Sequence, residues 1–123
     1  MGLTPRLLGG IDRDTALAVT VQLGTGAHRL LLDCGQGCPE QLTRGELRQI
    51  EHIFFSHFHV DHVAGFDGFF RWVCDREEPP VSVWGPPGTL AIVHHRLQGF
   101  LWNLVHPGQP GRWVLHEVDE SVV

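Results

Sequence analysis

The run Ser56-His57-Phe58-His59-Val60-Asp61-His62 gathers three imidazoles and one carboxylate into six consecutive positions, His57 to His62. These side-chain types hold zinc and similar divalent ions. On an extended segment, residues two apart point the same way, so His57 and His59 can reach one ion. Asp61 and His62 fall where the segment turns into the next element, and adjacent side chains there can diverge toward a second ion. Two ions about 3.5–4 Å apart can hold a bridging hydroxide and stabilise both oxygens of a displacement. The chemistry read from these residues is metal-dependent hydrolysis, with His57, His59, Asp61 and His62 as ligands. A structural zinc, or a surface histidine cluster without metal, is the competing reading.

Other donors are less organised. Asp33 follows a strand and precedes a glycine loop, where it can orient a ligand histidine from behind or simply cap a turn. Cys34 and Cys38 are spaced more loosely than CxxC, and no second pair exists. With Cys74 they make an odd count, which suits reduced thiols. His28, His52, His94, His95, His106 and His116 are scattered, and surface or satisfied core roles suit them better than ligation.

The elements that must position the cluster follow from hydrophobic periodicity. Thr15 to Leu23 alternates, with Leu17, Val19, Val21 and Leu23 on one face, and predicts a half-buried strand. Gly24 to Ala27 reads as a hairpin loop and His28 to Asp33 as the returning strand. Leu30-Leu31-Leu32 suggests burial of that strand on both faces. Pro39 to Leu42 can start a short helix. Ile53-Phe54-Phe55 is a buried strand that delivers the chain directly to the histidines. Val63, Phe66, Phe69, Phe70 and Val73 recur at helical spacing and read as core.

Beyond Pro79-Pro80, Val81 to Trp84 forms a strand. Gly85 to Gly88 then turns into a helix from Thr89 to about Leu104, with Thr89 as its cap. The Gly88-Thr89 helix start can also favour an anion. His106 to Gly111 reads as a loop and Trp113 to Val118 as a last strand. The pattern is an α/β layer with helices packed on a sheet.

The chain has 123 residues and 13.8 kDa, one small domain or a piece of a larger one. Apolar residues make up 42% and charged residues 19%, which excludes a disordered chain. A net charge of −5 argues against bulk nucleic-acid binding of the basic type, although a local patch can still bind RNA. All 9 basic residues are arginine. No apolar run approaches a membrane span and no signal pattern opens the chain, so a cytoplasmic location is the expectation.

Three motifs together resemble the metallo-β-lactamase superfamily and, within it, the ribonuclease Z-like hydrolases. His57-Phe-His59-Val-Asp61-His62, trailed by Gly65, fits the superfamily's HxHxDH motif. Asp33-Cys34-Gly35-Gln36-Gly37 with Gln41-Leu42 is similar to the branch's DCGEGTxxQL segment, and Val83-Trp84-Gly85-Pro86-Pro87-Gly88 to its strand followed by GPPG. The resemblance covers roughly residues 15–105. It implies an αββα sandwich and a site for two ions, usually zinc. His57 and His59 would hold the first, Asp61 and His62 the second.

A metal-bound hydroxide would attack a phosphodiester, with Asp61 helping to move its proton. The implied substrate is the 3′ extension of precursor tRNA. Relatives with similar motifs act on small phosphodiesters, sulfate esters or thioesters. Gln36 stands where the branch has glutamate, and Cys38-Pro39 where it has Thr-Gln. The branch's third histidine, bridging aspartate and last histidine have no counterpart in a matching context here; His116 and Asp119 sit in none. The expectation is therefore an N-terminal part of a larger domain, residues 1–123 supplying the first α/β half. Such a half leaves one sheet face bare, to be covered by the remainder or by a second copy in a homodimer, or else remains catalytically incomplete.

Overall fold

A computed structural model of the chain describes residues 2–76, 79–100 and 113–120. Six strands form one sheet in chain order: β1 (Gly2–Leu8), β2 (Ala16–Leu23), β3 (Gly26–Leu32), β4 (Ile50–Phe54), β5 (Val81–Gly85) and β6 (Trp113–Glu117). The first three pair antiparallel, and β3 to β6 pair parallel. The helices are α1 (Arg44–Arg48), α2 (Val60–Val63), α3 (Phe66–Val73) and α4 (Thr89–Leu97), with a 3-10 turn at Pro39–Gln41. None of the described helices is long and apolar enough to cross a membrane.

The hairpin is tighter than its composition suggests. Leu23 pairs with Gly26, leaving Gly24 and Thr25 as the turn. Gly24 takes φ +59°, a conformation glycine adopts without steric cost. β1 is an element that the sequence reading did not include; Pro5 removes a donor from its middle, and the strand sits at the sheet edge, where that loss is tolerated. α1 was also not expected. Its signal is the Thr43-x-x-Glu46 capping box: Thr43 Oγ1 accepts from Glu46 N–H at 3.1 Å, and Glu46 Oε1 accepts from Thr43 N–H at 3.0 Å.

One sheet face carries the core. Leu31, Ile53, Val81 and Val83 pack with Leu47 of α1, Phe66, Phe69, Phe70 and Val73 of α3, and Val93 and Leu97 of α4. Each such side chain contributes about 1.5–3 kcal/mol by leaving water. A bidentate pair, Arg96 to Asp67 at 2.8 and 2.6 Å, ties α4 to α3. Arg76, 6% exposed, donates to the carbonyls of Arg48, Ile50 and Pro79, and so fastens the exit of α3 beneath β4.

α4 begins one residue earlier than the threonine suggested. Gly88 is its cap, at φ +103°, and Thr89 lies inside the helix with Oγ1 donating to Pro86 O at 2.6 Å. The anion favoured at this helix start is supplied by the chain itself: Glu117 Oε1 accepts from the N–H groups of Gly88 and Leu90, both at 3.0 Å. α4 ends at Leu97 with Gln98 as its cap, short of the helix expected to about Leu104; residues 101–104, and the loop from His106 to Gly111, lie outside the described residues.

The opposite sheet face lacks such cover among the described residues. Leu31 is fully buried but Leu32 is 37% exposed, so the expectation of burial on both faces of β3 fails. Leu3, Leu7 and Leu23 stand open at 68%, 72% and 49%. Across β4, β5 and β6 this face carries a row of half-buried rings. Phe54 stacks with Trp84 at 5.8 Å, and Trp84 with His116 at 3.7 Å. A contiguous apolar face of this kind suits burial against another layer.

Two outcomes follow. Thr43→Ala should lower stability by about 1 kcal/mol, read as an earlier urea midpoint at unchanged slope. The native chain should enhance the fluorescence of an apolar dye such as anilinonaphthalene sulfonate, and Trp84→Glu should reduce that signal while the far-ultraviolet spectrum is kept.

Candidate metal centre

The cluster sits at the carboxyl end of β4, where open α/β sheets place their ligands. Phe55 N–H donates to Trp84 O at 2.7 Å, extending the β4–β5 pairing to the last residue before the loop. Phe55 and Phe58 pack with ring centroids 4.9 Å apart, which anchors the loop's apolar positions. Phe58 and Val60 alternate with His57 and His59 and line an apolar cleft of about 610 Å³ with Phe55, Val63, Ile92 and Val93. Alternation gives the loop an apolar face toward that cleft and an imidazole face on the other side.

The helix expected from Val63 to Val73 is divided, and the division serves the site. His62 O accepts from Cys34 N–H at 2.8 Å, and Gly65 N–H donates to Cys34 O at 2.9 Å. These two bonds divert groups that a continuous helix would use, so α2 ends and α3 starts after Gly65. The approach requires glycine on both sides. A Cβ on Gly65 would strike the carbonyl oxygen of Gly35, and one on Gly35 would strike Asp14.

Asp33 lies just past β3 at φ +59°, a conformation rare for residues other than glycine and several-fold enriched in aspartate. Its own N–H donates to Phe54 O at 2.7 Å, which fixes it beside the end of β4. Its carboxylate accepts from Ser56 N–H at 2.8 Å, lies 2.9 and 3.1 Å from Ser56 Oγ, and accepts from His62 Nδ1 at 2.8 Å. Asp33 therefore orients His62 from behind, as its position beside the glycine loop suggested. That hydrogen bond, together with the negative charge of Asp33 and Asp61, raises the His62 imidazole above its ordinary range against the lowering effect of burial. Ser56 was overlooked in the sequence; its only signal there is its place between the strand end and His57.

The structure draws the histidines together. The His57 ring centre is 4.6 Å from that of His59 and 4.1 Å from that of His62. Asp61 Oδ2 lies 3.4 Å from His62 Nε2, and Asp61 and His59 are exposed. Among the described residues, however, no three histidine, cysteine or carboxylate groups form a completed set of ligands. The donor chemistry fits a divalent metal all the same. His62 commits Nδ1 to a carboxylate and turns Nε2 outward beside Asp61, the arrangement typical of a ligating imidazole.

Among the described residues the scattered histidines are engaged elsewhere or lie on the surface; His106 lies outside them. His28 pairs with Glu51 at 3.1 Å, His52 Nδ1 accepts from Trp84 Nε1 at 3.0 Å, and His116 stacks on Trp84. His94 and His95 are exposed on α4. Cys34 and Cys38 are fully buried, and burial first of all pushes both thiols up, Cys34 far above the ordinary thiol range. A buried thiol held protonated is a poor ligand. In the native chain a thiol reagent at mildly alkaline pH should modify half-buried Cys74, while Cys34 and Cys38 should react only on unfolding, as mass spectrometry of the labelled peptides will read.

Known proteins agree with this architecture. A family model described as a beta-lactamase superfamily domain matches residues 28–121. A Ribonuclease Z of Deinococcus radiodurans is 46% identical over 121 residues, 98% of this chain and 36% of the relative. One from Haloferax volcanii is 37% identical, over 89% of this chain and 34% of the relative. The chain thus spans about a third of the length of these curated relatives. The crystal structure of the short form of human tRNase Z superposes with a TM-score of 0.62 at 24% identity, over 99% of this chain and 47% of that one.

Proposed function

Since the chain belongs to the metallo-β-lactamase superfamily, in its ribonuclease Z-like branch, we propose that it carries the ligand loop of a metal-dependent phosphodiester hydrolase acting on precursor tRNA. The observation that carries this reading is the loop itself: His57, His59, Asp61 and His62 gathered at a strand end, with Asp33 behind His62. In this reading His57 and His59 hold one ion, zinc in the first instance, and Asp61 and His62 a second. When bound, the metal supplies a Lewis acid for the phosphoryl oxygens. Asp61, an exposed side chain, offers its carboxylate as an acceptor for the proton of the attacking water.

Residues 1–123 are, in the same reading, the N-terminal part of a longer domain whose remainder brings further ligands and a second layer over the bare sheet face. The 36% share of the Deinococcus relative and the row of rings on that face support it. A cytoplasmic location accompanies a precursor-tRNA substrate.

A chimera tests the proposal: this chain replaces the matching third of the Deinococcus Ribonuclease Z. It should cleave a precursor tRNA bearing a 3′ extension. His59→Ala or Asp61→Ala should reduce cleavage by far more than the roughly 10–100-fold typical of outer partners. Full activity in both variants would refute the ligand assignment. Turnover of bis(p-nitrophenyl) phosphate without cleavage of the tRNA would move the substrate to a small diester.

A further inference from the structure

Ser56 belongs to neither the ligand set nor the core, yet its hydroxyl stands between the Asp33 carboxylate and His57. Its Oγ lies 2.9 Å from Asp33 Oδ2, 3.1 Å from Asp33 Oδ1 and 3.0 Å from His57 Nδ1. We infer that Ser56 is a positioning residue through which Asp33 fixes the proton location of His57 as well as that of His62. The chemical purpose of this arrangement rests on the metal-hydrolase reading above; the proton arrangement itself rests on the geometry.

The argument is one of donors and acceptors. An ionised carboxylate only accepts, and a serine hydroxyl has a single proton. With both carboxylate oxygens facing Ser56 Oγ, that proton goes to Asp33; otherwise two sets of lone pairs would confront each other at hydrogen-bond distance. Ser56 Oγ can then only accept from its third neighbour, so His57 must carry its proton on Nδ1. His62 donates Nδ1–H directly to Asp33 Oδ2 at 2.8 Å. His57, its ring 4.1 Å from that of His62, is thereby left with the Nε2 lone pair free, the form in which a neutral imidazole can ligate. In neutral His62 the proton stays on Nδ1, because its 2.8 Å bond to Asp33 is shorter than the 3.4 Å approach of Nε2 to Asp61 Oδ2. One carboxylate serves two ligands, directly for His62 and through a hydroxyl for His57. The bond from Ser56 N–H to Asp33 Oδ1 holds the backbone independently of the hydroxyl. Removing the hydroxyl should therefore release the ring without releasing the loop.

Long-range proton–nitrogen NMR of the ¹⁵N-labelled full chain, at a pH where the imidazoles are neutral, reads the tautomers directly. In the unaltered chain His57 and His62 should both show the Nδ1–H form. Ser56→Ala should move His57 toward the Nε2–H form that an unrestrained imidazole prefers, and leave His62 unchanged. Ser56→Thr should restore the original form, and Asp33→Asn should disturb both rings. An Nε2–H tautomer at His57 in the unaltered chain would overturn the inference without any variant, and so would a His57 signal indifferent to Ser56→Ala. Addition of zinc separates this from the wider reading. Zinc should shift both resonances, with an affinity about 10–100-fold weaker in Ser56→Ala. If zinc shifts neither ring while the tautomers are as expected, the metal reading falls and the positioning role stands.

Discussion

The Asp33 carboxylate is the interaction on which the rest of the site depends. It takes four polar approaches from two neighbours: the backbone and hydroxyl of Ser56, the latter facing both oxygens, and the imidazole of His62. Hydrogen bonds to a charged group contribute roughly 1.5–3 kcal/mol each. A non-glycine residue held at positive φ costs about 1–3 kcal/mol, so the bonds made by the carboxylate outweigh the strain that brings it there. Parallel pairing of β3 with β4 makes the encounter possible, because it sets the ends of both strands on one edge of the sheet. Asp33 leaves one strand end and the histidine loop leaves the other.

Close approach of two loops completes the arrangement. Cys34 exchanges backbone bonds with His62 and Gly65, and neither Gly35 nor Gly65 has room for a Cβ. The same contact that divides α2 from α3 thus sets the height of His62 above the sheet. Its cost is a break in the helix; its effect is an imidazole held by both its backbone and its ring.

Much of this was legible in the residues. The alternation of Leu17 to Leu23 gave β2 to within a residue, and the apolar run at Ile53 located the strand that delivers the histidines. Asp33 announced itself by its place between a strand and a glycine loop. β1 went unread, and Pro5 in its middle suits a strand only at a sheet edge, a position the sequence does not give. α1 was hidden by its brevity, although Thr43 and Glu46 spell its cap. Thr89 looked like a cap, but positive φ at Gly88 and the carboxylate of Glu117 took that role. Glu117 lies 28 residues from Thr89 in the chain, a partnership that no local pattern reveals.

The sequence by itself determined the donor chemistry, since the types and spacing of His57, His59, Asp61 and His62 admit few readings apart from metal. It also determined the α/β class, because hydrophobic periods of two and of about four residues alternate along the chain. The tertiary structure alone decided that His57 and His62 turn Nδ1 toward Ser56 and Asp33. That choice depends on Ser56 and Asp33, which stand 23 residues apart and meet only when β3 and β4 lie side by side. It alone decided, too, which sheet face is left uncovered among the described residues. Period-two alternation tells the two faces of a strand apart, but only the packing of α1, α3 and α4 shows which of them the helices cover.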